Sequence, residues 1–144
     1  MKTCWRLLKK INSHFPSNKN IVFKSTFCLL FFKFSLTILS FVNFKKLFYS
    51  LTQTNILQDY NHNQISEITY AVKVISSHLP FETNCLVQAL TTKFLLRHDK
   101  NVVLMIGVNI HTGFEAHAWV ERNGSVIIGD WSGSVSYQRL WVWE

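Results

Sequence analysis

The clearest hydrophobic pattern of the chain lies between Gln64 and His98. Apolar side chains recur at helical spacing until Pro80 ends the run, namely Ile65, Ile68, Val72, Ile75 and Leu79. Asn84 can then cap a second helix, which runs from Cys85 to about His98. The pattern predicts two consecutive amphipathic helices, with Cys85 in the first turn of the second.

After these helices the pattern becomes that of strands. The β-branched run Val102–Val108 is typical of a buried strand, and Asn123-Gly124 is a strong signal for a two-residue hairpin turn. This turn joins predicted strands at 114–121 and 125–131. One face of the first of them carries Phe114, Ala116, Ala118 and Val120, and the other carries Glu115, His117, Trp119 and Glu121. Helices followed by a small antiparallel sheet predict an α+β fold.

The front of the chain differs from the rest in composition. Residues 1–50 contain nine of the 15 basic residues, nine of the 12 Phe and no acid, so all eight acids follow later. We predict a basic, Phe-rich helical region at 1–50 with a break near Pro16, a polar linker at 51–63 and a single domain at 64–144.

Within that front, the stretch Ser25–Phe44 has the length of a membrane span but is interrupted by Lys33. Its charge-free runs fall short of the roughly 18 residues that a span requires. Three interpretations stay open: a buried or partner-facing helix, a helix in the membrane interface, and a true span. Because the front lacks the pattern of a signal peptide and the three cysteines form no CxxC pair, we expect a reducing, cytoplasmic location, with a peripheral position at an anionic membrane surface as an option.

The predicted hairpin also brings an imidazole next to a carboxylate. Facing residues of a hairpin have Cβ atoms about 4.5–5.5 Å apart, a distance at which a carboxylate can hold an imidazole N–H. Counting outward from the turn pairs Arg122 with Ser125, Glu121 with Val126, Trp119 with Ile128 and His117 with Asp130.

A base with its orienting group needs a nucleophile, and Cys85 is the obvious one. Free N–H groups and the positive dipole end of a helix favour a thiolate there and can stabilise an oxyanion. The residues therefore predict a triad of Cys85, His117 and Asp130, with Trp119 shielding it from water and with no metal or cofactor.

Less specific interpretations apply to single residues. A lone Cys in an amphipathic helix is most often a small core residue. A zinc site of Cys85, His111 and His117 lacks a recognised ligand spacing. The remaining side chains of interest are predicted at the surface: His14, His62, His78 and His98 in helix ends or linkers, His111 in a loop near the cleft, and Glu115 and Glu121 as solvated strand residues.

Five short motifs occur in order between Leu79 and Asp130: Cys85-Leu86-Val87-Gln88-Ala89-Leu90, Leu95-Leu96-Arg97, Ile106-Gly107-Val108, the octapeptide 114–121 and Gly129-Asp130. Together they resemble the transglutaminase-like B proteins of lasso peptide biosynthesis, cysteine proteases that remove the leader from a ribosomally made precursor. The resemblance implies a papain/transglutaminase-like core in which Cys85 is the nucleophile, His117 the general base and Asp130 the third member of the triad.

The same resemblance implies a stand-alone protease form, because no β-patterned leader-recognition segment precedes the motifs. Its implied partners are the precursor peptide, a separate leader-recognition protein and an asparagine-synthetase-like lasso cyclase, without nucleic acid. Two alternatives stay open. A transglutaminase would use the same triad to transfer the acyl group to an amine, and a non-catalytic membrane-associated scaffold would contain Cys85 only as a structural residue.

Overall fold

The computed structural model describes residues 16–111, 113–131 and 136–144, and in these residues four helices precede a four-stranded antiparallel sheet. The predicted α+β class is confirmed. The strands are arranged in the order β3-β2-β1-β4. The elements are α1 (Lys19–Ile38), α2 (Phe41–Thr52), α3 (His62–His78), α4 (Cys85–Leu95), β1 (Val102–Asn109), β2 (Glu115–Arg122), β3 (Ser125–Ile128) and β4 (Gln138–Trp143).

The starts of α3 and α4 are fixed by asparagine caps. Asn61 and Gln64 form a capping box, with Asn61 Oδ1 accepting from Gln64 N at 2.9 Å, so α3 begins two residues before the predicted start. Asn84 caps α4 as predicted, because its side chain accepts from Val87 N at 3.1 Å. Helix α4 ends at Leu95, earlier than predicted, and a turn follows it.

One hydrophobic core includes all four helices and the sheet. The described part of the Phe-rich front belongs to it, because Phe32 is 1% exposed and its ring meets those of Phe48 and Phe94 edge-on at 5.4 and 5.7 Å. The front therefore shares its packing with the predicted domain at 64–144. His14, Cys4 and the other residues of the front before position 16 lie outside the described residues.

Helix α1 has the length and composition of a membrane span, a test that core helices of globular proteins also pass. Four of its side chains form a buried stripe at helical spacing: Ser25, Cys28, Leu29 and Phe32. One side of α1 is thus part of the core.

The segment between α2 and α3 is tied to the body of the protein by Arg122. Its guanidinium contacts Asp59 Oδ1 at 2.6 Å and the Tyr60 carbonyl at 3.0 Å. Its Nε is 2.8 Å from Asp99 Oδ2, and the Asp99 side chain is 1% exposed. The predicted linker at 51–63 is helical at both ends, and Asp59 and Tyr60 within it are held against the end of β2.

The strand β4 was not predicted from the sequence. It packs on α2: Phe48 and Trp143 have ring centroids 5.1 Å apart, and Lys45 Nζ lies 3.3 Å from the centre of the Trp141 ring. Its alternation of inward tryptophans with outward Leu140 and Val142 is that of a half-buried edge strand.

The hairpin turn is confirmed, but the pairing register of the two strands changes with distance from the turn. Asn123 and Gly124 have φ values of 51° and 78°, and the two pairs next to the turn are those predicted. A β-bulge then makes Val120, rather than Trp119, the partner of Ile128. The predicted facing of His117 and Asp130 is therefore wrong by one residue, because Ile127 is the extra residue on β3.

Candidate active site

Cys85 is the first residue of α4 and is half-buried. The cap uses the N–H of Val87, and the Asn84 carbonyl accepts from Gln88 N at 3.3 Å. The N–H groups of Cys85 and Leu86 have no carbonyl partner within the helix. The thiol therefore lies beside free donors at the positive end of the helix dipole, as the sequence predicts.

His117 lies on the sheet face that is turned away from the helices. Its neighbours Ala118 and Val120 are buried in the hydrophobic core on the other face, so the predicted division of β2 into two faces is confirmed at these residues. Aromatic rings surround the imidazole, at centroid distances of 6.1 Å for Trp119, 5.6 Å for Trp131 and 5.1 Å for Tyr137.

The imidazole is oriented by a backbone carbonyl. His117 Nε2 lies 2.6 Å from the carbonyl oxygen of Gly129. Because a carbonyl can only accept, Nε2 bears the proton and Nδ1 is the basic nitrogen of the neutral ring. The Gly129 carbonyl thus performs the orienting task that the sequence assigned to the Asp130 carboxylate.

Asp130 points to a different partner. Its side chain is 77% exposed, and Lys73 Nζ donates to its Oδ1 at 2.9 Å. This hydrogen bond, with a backbone hydrogen bond and the charge of Lys73, lowers the pKa of Asp130, and the charge of His117 contributes a smaller lowering. Asp130 is within electrostatic range of His117, while its predicted place in the triad stays a prediction.

Tyr137 is a neighbour of the predicted catalytic base. Its ring is beside His117, and partial burial, a hydrogen bond with Glu115 and the charges of Glu115 and Cys85 raise its pKa. The charge of Cys85 is the smallest of these causes, so the thiol lies within electrostatic range of the phenol. No sequence signal marks Tyr137, because it precedes a strand that the pattern did not predict.

The side chain of Trp119 is held in a fixed position beside this cluster. It is 2% exposed, and its Nε1 donates to Glu121 Oε1 at 2.7 Å, to which Arg139 Nη2 also donates at 3.3 Å. Glu121 is buried, so the prediction that it is solvated is wrong, because it satisfies the indole N–H. A Cβ on Gly107 would lie 2.9 Å from the indole, so only glycine leaves room for this ring.

The other histidines lie apart from this cluster. His62, His78 and His111 are exposed, in agreement with the sequence prediction. His98 is half-buried instead, because its Nδ1 lies 3.0 Å from the carbonyl of Ile56.

A groove of about 730 Å³ opens at the start of α4, although neither Cys85 nor His117 belongs to its lining. Asn84 and Gln88, which flank Cys85 on α4, form one end of it, and Lys73, the partner of Asp130, forms another part of its wall. Its remaining lining includes Pro80, Phe81 and Glu82. A groove of this size and mixed polarity can receive several residues of an extended peptide close to the start of α4.

Comparison with known families gives one match. The family model described as transglutaminase-like superfamily matches residues 28–142, from α1 to β4. No curated protein and no solved structure shows significant similarity to the chain.

Proposed function

The chain belongs to the transglutaminase-like superfamily, and from this premise we propose that it is a cysteine peptidase that removes the leader from a lasso-peptide precursor. Members of the superfamily are typically cysteine peptidases or acyltransferases. The observation that carries the proposal is the orientation of His117, whose Nε2 donates to the Gly129 carbonyl and leaves Nδ1 free to act as a base, and Cys85 is the candidate nucleophile at the N-terminus of α4.

The chemistry follows from these groups. His117 Nδ1 takes the thiol proton, and the Cys85 sulfur attacks the scissile carbonyl. The N–H groups of Cys85 and Leu86 stabilise the oxyanion, and the C–N bond breaks as His117 returns the proton to the leaving amine. Water, deprotonated by His117, then hydrolyses the thioester and releases the leader as a carboxylic acid.

The lasso-peptide assignment rests on the motifs and on how they fit together. Gly107 of the Ile106-Gly107-Val108 motif accommodates the indole of Trp119, which belongs to the motif of the general base. The groove at the start of α4 suits an extended leader junction. The proposed partners are the precursor, a separate leader-recognition protein and an asparagine-synthetase-like cyclase, which would use the amine that cleavage exposes.

The direct test uses the full chain with a candidate precursor peptide and a candidate leader-recognition protein, both sought among the genes next to its own. We expect mass spectrometry to show a leader ending in a free carboxylate and a core peptide with a new amine. Cys85→Ala should abolish this cleavage, whereas Cys28→Ala, which alters a buried cysteine of α1, should retain it.

Two results would reject the proposal. If an added amine becomes joined to the leader carbonyl and no free carboxylate forms, the protein is an acyltransferase with the same thioester chemistry. If neither the parent protein nor Cys85→Ala cleaves the precursor in the presence of the leader-recognition protein, Cys85 is structural and the scaffold alternative gains support.

A further inference from the structure

Helix α1 has a second side, opposite to its buried stripe, that is apolar and exposed. With 100° between successive residues, its members fall within one narrow sector of the helix. We call this sector the Phe face, and it consists of Phe23 (74% exposed), Phe27 (61%), Phe31 (36%), Phe34 (58%) and Ile38 (78%). No described residue covers it, and such a row of exposed aromatic side chains is characteristic of an interaction surface.

Cations border the Phe face. Lys24 lies on one side of this sector and Lys19 on the other, both exposed, as helical spacing dictates. Lys33 lies further round the helix and donates to the Glu82 carbonyl at 3.0 Å, so it belongs to another surface. Residues 1–50 contain no acid, so α1 carries no negative side chain that would repel an anionic partner.

A pocket of about 440 Å³ adjoins the Phe face where α1 meets the end of α4. Its walls include Phe27 and Phe94, and Lys24 and Arg97 are its two cations. Arg97 is held in position, because its guanidinium lies over the Phe94 ring at 4.4 Å and its Nη1 donates to the Phe94 carbonyl at 3.0 Å. The pocket therefore combines apolar walls with the positive charges of Lys24 and Arg97. This composition fits a phosphate group attached to an acyl chain.

The two competing occupants fit less well. A membrane span would need α1 free on all sides, but Leu29 and Phe32 are 0% and 1% exposed within the core. In a dimer through the Phe face, no acid on α1 of the second copy could pair with Lys19 and Lys24, whichever direction that copy ran, and a parallel arrangement would bring like charges together.

We propose that α1 lies flat on an anionic lipid bilayer, with the Phe face in the acyl-chain boundary and a lipid phosphate in the pocket formed with Lys24 and Arg97. The Phe side chains enter the bilayer to a depth of about 5–10 Å, and the lysines extend to the headgroups. The rest of the core stays assembled on the other side of α1.

The test is flotation of the full chain with vesicles of phosphatidylcholine alone or mixed with phosphatidylglycerol. We expect binding to the anionic vesicles only, and this binding should weaken as salt shortens the Debye length below about 10 Å. Lys24→Gln and Arg97→Gln should each weaken binding about fivefold, while Lys100→Gln, which removes an exposed charge elsewhere, should not.

A second pair of variants tests the apolar contribution. Phe27→Ser combined with Phe34→Ser should weaken binding roughly tenfold or more, whereas Leu140→Ser, which alters an equally exposed apolar side chain on β4, should leave it unchanged. Circular dichroism checks that each variant is folded, and leader cleavage in solution should be unaffected by all of them.

Four outcomes would overturn the proposal. The first two are equal binding to both kinds of vesicle and an equal loss of binding in the Leu140→Ser control. The third is release from vesicles by detergent alone, which would indicate a span. The fourth is a dimer that forms without lipid and that is lost only in the Phe27→Ser/Phe34→Ser variant, which would indicate self-association. None of these outcomes depends on whether the protein cleaves a leader.

Discussion

At the scale of single residues, the hydrogen bond from His117 Nε2 to the Gly129 carbonyl decides which ring nitrogen is the base. A backbone carbonyl cannot be removed by mutation, and it carries no full charge. It orients the imidazole well but stabilises the imidazolium less than a carboxylate would. Asp130, which is one residue further on and within electrostatic range, can supply the missing charge.

This division of tasks leads to a prediction about Asp130. Asp130→Asn should lower kcat by about a hundredfold or more, because the imidazolium formed during attack loses its counter-charge. Lys73→Met, which removes the partner of Asp130 in the resting protein, should change kcat by less than about fivefold. Steady-state kinetics of leader cleavage separates the two variants. Equal, small losses in both would mean that the carboxylate serves only the Lys73 ion pair.

The two cysteines of the described residues should differ in reactivity. Burial raises the pKa of the Cys28 thiol from 9.0 to about 11, against the opposing charges of Arg97 and Lys24, whereas Cys85 is half-buried at a helix N-terminus. At about pH 8, iodoacetamide should modify Cys85 in the native protein and Cys28 only after denaturation, as peptide mass spectrometry would show. Labelling of native Cys28 at the rate of Cys85 would contradict this.

Because the pKa of Cys28 is raised in the folded state, its contribution to stability has a definite sign. The unfolded thiol loses its proton near pH 9.0, while the native thiol keeps it until about pH 11. The native state therefore binds more protons in this window, and the free energy of unfolding should fall as pH rises through it. Urea denaturation should show a steeper fall in the parent protein than in Cys28→Ala, and the difference between the two separates the thiol from groups such as Tyr60, whose pKa is also raised by burial.

At the scale of elements, the hairpin shows how glycine sets the position of the carbonyl that orients His117. Gly129 has φ 84°, and a Cβ there would lie 2.7 Å from the Ala118 carbonyl oxygen and 2.9 Å from Trp119. Gly124 has a similar φ of 78°, but nothing lies within 4 Å of its missing Cβ. The two glycines share the same backbone strain and differ only in crowding.

These glycines form a matched pair of test variants. Gly124→Ala should lower the free energy of unfolding by about 1–2 kcal/mol, the cost of a left-handed alanine. Gly129→Ala should cost more, and it alone should reduce leader cleavage, because the crowded Cβ displaces the carbonyl that orients His117. Chemical denaturation and kinetics measure both effects. A similar loss of activity in Gly124→Ala would show that the register of the whole hairpin, rather than the Gly129 carbonyl, is what matters.

The elements also show what the sequence could and could not predict. Periodicity and capping signals located α3, α4 and the hairpin turn, because each is determined by neighbours in sequence. The bulge at Ile127 could not be predicted by counting residues outward from the turn, since the alternation of side chains along a strand contains no signal for one extra residue. The strand β4 was missed because its tryptophans are paired with α2, a contact distant in sequence.

The same reasoning applies to the candidate site. Cys85 and His117 were found from local signals, a helix start and a strand face. The Gly129 carbonyl, Tyr137 and Lys73 were not, because their roles arise from tertiary packing that brings them to the imidazole or to Asp130.

At the scale of the whole molecule, the Phe-rich front is divided between the core and the surface. Phe32→Ala should lower the free energy of unfolding by about 3–5 kcal/mol, because its ring is 1% exposed and fills the space between three other Phe rings. Phe34→Ala, two residues away but 58% exposed, should change it by less than about 0.5 kcal/mol. Urea denaturation would measure both. Equal effects would mean that α1 does not pack as described.

The packing of α2 on β4 dictates when the protein can fold during its synthesis. Phe48 is translated long before its partner Trp143, and at roughly 5–20 residues per second the delay is several seconds. Throughout that interval Phe48 lacks the ring of Trp143, and the side of α2 that β4 later covers is open to a chaperone or a nearby bilayer. Tyr137, whose ring packs beside His117, also emerges late. Under the proposed function, a chain still on the ribosome therefore lacks part of the site and should not cleave other nascent peptides.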